Sequence, residues 1–237
     1  MELKTFKNKK EVAENFAQYL IDLISQNDKL HIALSGGSTP KVIFDVISEN
    51  YKNKIDWSKV YFYWGDERLV PPTDNESNFK MTVDHLLSKI SIPEENIFRI
   101  KGENDPETEA IRYSKVLANQ LPIVDDVPQF DLVILGMGDD GHTASIFPYN
   151  IELWDADENC VVAIHPDSGQ KRVSITGKII NNAKNVAFLV TGATKAEKVR
   201  EIINLDKIAE LYPASLVAPK SENLIWFLDE DAAEELF

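Results

Sequence analysis

The chain has 237 residues, with 25 Lys and Arg against 39 Asp and Glu, for a formal net charge of −14. So acidic a chain argues against binding nucleic acid or an anionic membrane, because Lys and Arg carry such contacts. A composition 43% hydrophobic and 27% charged is that of a globular protein rather than a disordered one, and the length suits one large domain or two small ones.

The first ten residues are polar, and no stretch approaches the roughly 18 apolar residues of a membrane span, so the expected location is the cytoplasm. Over 11–26, Val12, Phe16, Tyr19, Leu20, Leu23 and Ile24 recur at helical spacing and predict an amphipathic helix. Apolar runs of strand length follow at 30–34, 60–64, 130–135, 160–164, 172–176, 185–191 and 224–228. Several are nearly continuously apolar rather than alternating, which predicts strands covered on both faces. Between them, helices are expected at 41–48, 77–88, 106–120, 195–204 and 206–211. Strands alternating with helices predict an α/β fold with a mostly parallel sheet flanked by helices. No repeat, low-complexity segment or linker divides the chain, so 1–237 reads as a single domain. Cys160 is the only cysteine and lies in an apolar run, where a buried, unreactive thiol is expected.

In open parallel sheets ligands bind beyond the carboxyl ends of the strands, so the segments that directly follow strands are the candidates for chemistry. Ser35-Gly36-Gly37-Ser38-Thr39-Pro40 stands between a strand and a helix. Gly36 and Gly37 permit a sharp turn, Ser38 and Thr39 offer hydroxyls, and a helix N-terminus adds free N–H groups for a phosphate. A capped tight turn would read the same way. Trp64-Gly65-Asp66-Glu67-Arg68 sets two carboxylates and a guanidinium at the end of the next strand, suited to a base, an orienting acid and an anion fork, or to a weak surface pair.

The third segment, Gly136-Met137-Gly138-Asp139-Asp140-Gly141-His142-Thr143-Ala144-Ser145, contains a literal Gly-x-Gly-x-x-Gly. A dinucleotide site is rejected there, because Asp139 and Asp140 would face the pyrophosphate and no acidic residue ends a second strand about 20 residues on. The loop instead presents His142 on a turn formed by Gly138 and Gly141, near carboxylates able to fix its tautomer. His31, His85 and His165 have less suggestive settings, although His165 follows a strand. No Cys cluster and no His-Glu-x-x-His occurs, so no metal site is expected. In Thr191-Gly192-Ala193-Thr194-Lys195-Ala196, a lysine in the first helical turn opposes the helix dipole, which hints at an anionic ligand. Lys171 and Arg172 begin a further strand and could add positive charge.

In this order the four segments resemble the 6-phosphogluconolactonase family, over about residue 10 to the C-terminus. Gly141-His142-Thr143-Ala144-Ser145 followed by Phe147-Pro148 is similar to the lactonase branch, whereas the related glucosamine-6-phosphate deaminases carry a His-Ile-Ala-Phe-Asn-Glu-Pro type of segment. Pro71-Pro72 and Ser77-Asn78 also look like the lactonase continuation. Gly177 and Lys178 depart from the family's usual apolar-Pro pair, and Tyr212-Pro213-Ala214-Ser215 only approximates its late Pro-Ala segment. The resemblance implies a modified Rossmann-like sheet, no cofactor, and hydrolysis of a phosphosugar lactone, 6-phospho-D-glucono-1,5-lactone, in the oxidative pentose phosphate pathway. His142 is then expected as general base and acid. Asp66, aligned with the acidic base of the deaminases, would orient the substrate or the histidine, with Glu67 in reserve. Gly36, Gly37, Ser38, Thr39, Arg68 and Lys195, with Arg172 in support, are expected to hold the phosphate. A deaminase or isomerase of glucosamine 6-phosphate and a non-catalytic sugar-phosphate binder are the alternatives.

Overall fold

Leu30–Leu34, Leu132–Leu135 and Val186–Val190 are buried at every position, as strands covered on both faces must be. The structure, a computed structural model, describes residues 1–236. Its strands are β1 (Glu2–Phe6), β2 (Leu30–Leu34), β3 (Val60–Trp64), β4 (Asp66–Arg68), β5 (Ile97–Phe98), β6 (Ile123–Val124), β7 (Val127–Pro128), β8 (Leu132–Leu135), β9 (Cys160–Ile164), β10 (Lys171–Ile175), β11 (Val186–Val190) and β12 (Leu224–Asp229). The helices are α1 (Lys9–Ser25), α2 (Ser38–Val46), α3 (Asn78–His85), α4 (Pro106–Gln120), α5 (Gly177–Asn181) and α6 (Ala196–Ile203).

Seven strands form one sheet in the order β1-β12-β11-β8-β2-β3-β5, and every neighbouring pair is parallel. Helix α1 begins where the Asn8 side chain accepts the Glu11 N–H at 3.0 Å. Its Val12, Phe16, Leu20 and Ile24, spaced by four, are buried and pack the helix on α2 and β12. The core is one continuous cluster. Within it Phe188 stacks on Trp226 with centroids 4.0 Å apart, and truncating either to alanine would cost about 3–5 kcal/mol.

The predicted strands at 160–164 and 172–176 exist but lie outside the parallel sheet. With β4 they make a separate antiparallel sheet, β4-β10-β9. Gly65 joins the two sheets, donating its N–H to Leu34 O and accepting the Ile175 N–H, both at 2.8 Å. Helix α2 starts at Ser38, earlier than its apolar pattern suggests, because Gly37 is its N-cap. The helix expected at 206–211 is a short 3₁₀ segment, Lys207–Leu211, and α6 is preceded by a 3₁₀ turn, Ala193–Lys195. Strand β1 is an unpredicted edge strand whose polar sequence leaves it largely exposed.

Candidate active site

From β2 the chain steps to β3 on one side, while β8 lies on the other, so the strand order reverses between β2 and β8. In such sheets the crevice lies at that reversal, beyond the carboxyl ends. A cleft of about 270 Å³ opens there, lined by residues following β2, β8 and β11 and by β4 and β10.

The loop after β8 holds His142 in a tight turn. Gly138 donates its N–H to the His142 carbonyl at 2.9 Å, and Gly141 donates to the Gly138 carbonyl at 3.1 Å. A Cβ at Gly138 would fall 2.1 Å from His142 Nδ1. One at Gly141, whose φ is +84°, would fall 2.6 Å from Tyr212 Cγ. Both positions therefore require glycine. No α-helix opens at Gly141, and the loop runs on to a 3₁₀ segment at Pro148–Asp155, so the glycines present no α-helix N-terminus to a pyrophosphate. The segment around Tyr212 buttresses the loop, with Ala214 donating its N–H to the Gly141 carbonyl at 3.1 Å.

Asp140 Oδ1 lies 2.6 Å from His142 Nδ1 and accepts the His142 backbone N–H at 3.0 Å. With a carboxylate as acceptor, Nδ1 carries the ring proton and Nε2 keeps its lone pair. Burial pushes the Asp140 carboxyl up, but the hydrogen bond and charge of His142 outweigh it and hold the group below its ordinary value. The buried Phe147 ring backs the imidazole at 4.5 Å between centroids. Ala144, which lines the cleft, has a φ of +48°, uncommon for a residue with a Cβ.

Strand β4 separates the two carboxylates that adjacency in sequence could not. Successive strand residues point to opposite faces, and Asp66 and Arg68 line the cleft whereas Glu67 does not. Glu67 is corrected from a reserve catalytic residue to a structural one. Its oxygens accept from the backbone N–H groups of Arg68, Asn78 and Phe79 at 2.7–2.8 Å and from Ser77 Oγ at 3.0 Å, fastening β4 to the start of α3. Burial nevertheless pushes its carboxyl upward, with those donors opposing. Asp66 is 5% exposed. Its Oδ2 accepts from Ser145 Oγ at 2.6 Å and its Oδ1 from Asn78 Nδ2 at 3.4 Å.

Positive charge gathers on the same face. Arg68 and Arg172 are directly opposed across β4 and β10, an unfavourable placement for like charges. Arg68 donates to the Glu76 carbonyl at 2.7 Å and Arg172 to Ser145 Oγ at 3.4 Å, and each keeps a buried Nε with no partner. Burial pushes the Arg172 guanidinium below its ordinary value, Asp66 pulls it up and Arg68 lowers it further. Gly36, Gly37, Ser38 and Thr39 border the cleft beside them, and Thr39 Oγ1 is 2.8 Å from Thr191 Oγ1. Lys195 also borders it, paired with Asp139 at 2.5 Å.

Lys171 is exposed on the opposite face of β10 from Arg172. His165 packs edge-on against Phe147 at 5.3 Å, and its Nδ1 accepts the Asp167 N–H at 3.2 Å. His85 pairs with Asp45 at 2.8 Å, outside the cleft. Gly177 opens α5 against Trp154. Among the described residues no group of three or more His, Cys, Asp or Glu could hold a metal ion. Sequence reading missed the supporting roles of Asn78 and Ser145, and that of Asp229, whose Oδ1 accepts the Gly192 N–H at 2.8 Å and so fixes the turn carrying Lys195. Asn78 and Ser145 stand within the segments that carry the resemblance, without a role attached; nothing in the sequence pointed to Asp229.

The family model described as glucosamine-6-phosphate isomerases/6-phosphogluconolactonase matches residues 7–226. The 6-phosphogluconolactonase of Treponema pallidum is 46% identical over 196 residues, 81% of each chain. That of Aggregatibacter actinomycetemcomitans is 42% identical over 233 residues, 98% of each. The solved 6-phosphogluconolactonase of Trypanosoma brucei, 30% identical, superposes with a TM-score of 0.85, covering 100% of this chain and 98% of that one.

Proposed function

The chain belongs to the glucosamine-6-phosphate isomerase/6-phosphogluconolactonase family, and from that premise we propose that it hydrolyses 6-phospho-D-glucono-1,5-lactone to 6-phosphogluconate. The strongest support is His142, with Nδ1 engaged by Asp140, beside a cleft that gathers Arg68, Arg172 and Lys195. Opening a δ-lactone needs a water held against C1, a base for its proton and a donor for the leaving oxygen. In this reading His142 Nε2 takes the proton as the water oxygen bonds to C1. The tetrahedral intermediate then breaks its bond from C1 to the ring oxygen, and the imidazolium returns the proton to that oxygen, which becomes the C5 hydroxyl. The new carboxylic acid loses its own proton to solvent.

Asp66 orients the sugar hydroxyls, and Ser145 and Asn78 hold Asp66 in place. The phosphate lies against Arg68, Arg172 and Lys195, with the hydroxyls of Ser38 and Thr39 and the N–H groups at Gly36 and Gly37 as further donors. These local charges oppose the repulsion a −14 protein exerts on a phosphate dianion. The whole chain acts as one domain and needs no cofactor in this scheme. Its substrate, a phosphorylated sugar, does not cross membranes unaided, which supports the reading of a cytoplasmic reaction. No helix among the described residues is long and apolar enough to span a membrane.

The family description covers deaminating isomerases as well, and the relatives weigh against that activity here. The two reported above, at 46% and 42% identity, are both 6-phosphogluconolactonases. The test is to generate the lactone in situ, couple its product to 6-phosphogluconate dehydrogenase, and follow ammonia release from glucosamine 6-phosphate in parallel. Acceleration of the first reaction alone is expected. Ammonia release without lactone acceleration would replace lactonase with deaminase.

A further inference from the structure

Among the three cations of the cleft, Lys195 alone is in an ion pair. Its Nζ lies 2.5 Å from Asp139 Oδ1, and the same oxygen accepts from Thr194 Oγ1 at 3.0 Å. Lys195 is 20% exposed and lines the cleft, while Asp139 is 69% exposed at its edge. The Lys195 hydrogen bond holds the Asp139 carboxyl below its ordinary value, against a smaller opposing effect of burial. The neighbouring Asp140 turns the other way, to His142. One dipeptide thus ties the loop of the proposed base to the turn that carries Lys195.

We propose that Asp139 stands in for the substrate's phosphate: its carboxylate neutralises Lys195 in the free protein and competes with phosphorylated ligands for it. The inference rests on the lactonase reading. Ring opening converts a neutral lactone into a carboxylate, so the product carries one more negative charge than the substrate. Two guanidiniums and an ammonium would hold that product more tightly than the substrate. A tethered carboxylate on one of the cations offers an intramolecular replacement for the departing phosphate. It weakens both complexes and speeds release of the product.

Titration calorimetry with inorganic phosphate and with 6-phosphogluconate tests this on the full chain, using wild type, Asp139→Asn, Lys195→Ala and the double variant. Asp139→Asn should bind both ligands roughly two- to fivefold more tightly, the scale set by an exposed ion pair, and the gain should shrink as salt is raised. Lys195→Ala should bind them more weakly, and adding Asp139→Asn to it should restore nothing. In turnover, Asp139→Asn should lower KM and also kcat. Equal or weaker binding by Asp139→Asn would overturn the proposal and make the pair a brace for Lys195. An undiminished gain in the Lys195→Ala background would overturn it in favour of the general field of the cleft. Absence of phosphate binding by wild type would overturn it as well. Lactone hydrolysis by wild type is measured separately, so loss of the lactonase reading is distinguishable from loss of the competition.

Discussion

His31 and His142 each lie beside an aspartate, at opposite ends of the seven-stranded sheet. At the amino end, Asp131 accepts the His31 backbone N–H at 2.8 Å and binds Lys184 at 2.7 Å. The His31 ring stacks on Tyr61 at 4.8 Å and its Nδ1 is 3.2 Å from Tyr63 Oη. Burial pushes its pKa down, against the opposing charge of Asp131. At the carboxyl end Asp140 binds the His142 ring itself, and that ring borders an open cleft. Nearness of a histidine to an aspartate therefore says little about chemistry. What matters is whether the carboxylate sets the tautomer and whether the other ring nitrogen can meet a substrate.

The sharpest way to break this contrast is to remove each histidine. His142→Ala should lower kcat by about 10²- to 10⁴-fold with its denaturation midpoint little changed. His31→Gln should keep kcat within about twofold and lose about 1–3 kcal/mol of stability, as a disturbed buried hydrogen-bond group does. Comparable loss of activity in both would erase the distinction. Next in size, Asp140→Asn should reduce kcat by roughly 10- to 100-fold, since an amide no longer enforces the tautomer. Unchanged kcat would leave His142 unassisted. Arg68→Ala should raise KM for the phosphorylated lactone by roughly tenfold or more and spare an unphosphorylated lactone. An equal effect on both would remove Arg68 from the phosphate.

Smallest is a test at a surface pair, Arg99 and Glu103, that touches neither histidine. The Arg99 guanidinium grips Glu103 at 2.7 and 2.9 Å and holds its carboxyl down to about 2, against an ordinary 4.5. The folded value lies below the unfolded one, so this contribution is present above about pH 4.5 and is lost as pH falls toward 2. Melting curves of wild type and Glu103→Gln should differ slightly at pH 6, and the gap should narrow steadily as pH falls from 4.5 toward 2. A gap that widened on acidification would contradict the pairing.

The parallel strands were legible because strands buried on both faces must be apolar at every position, as β2, β8 and β11 are. Strand β1, reading Glu-Leu-Lys-Thr-Phe, was not, because an edge strand may keep polar residues in solvent. Periodicity found β9 and β10 but carries no information on partners, so their separate antiparallel sheet was hidden. Three polar residues at β4 gave no strand signal, since that strand exists through pairing with β10. With it went the distinction between Asp66 and Glu67, which rests on the alternation of β4 faces. The motif residues stood out because each follows a strand. Asn78 and Ser145 act through contacts 12 and 79 residues away in the chain, which no local pattern reports.

In this mechanism water adds to C1 of a phosphorylated lactone. The most direct measurement follows freshly made 6-phospho-D-glucono-1,5-lactone with and without the protein in ¹⁸O-labelled water, with the product read by NMR and mass spectrometry. Attack at C1 should give decay well above the spontaneous rate, one labelled oxygen in the C1 carboxylate, an unlabelled C5 hydroxyl and an intact phosphate ester. Decay at the background rate, or label at C5, would contradict it.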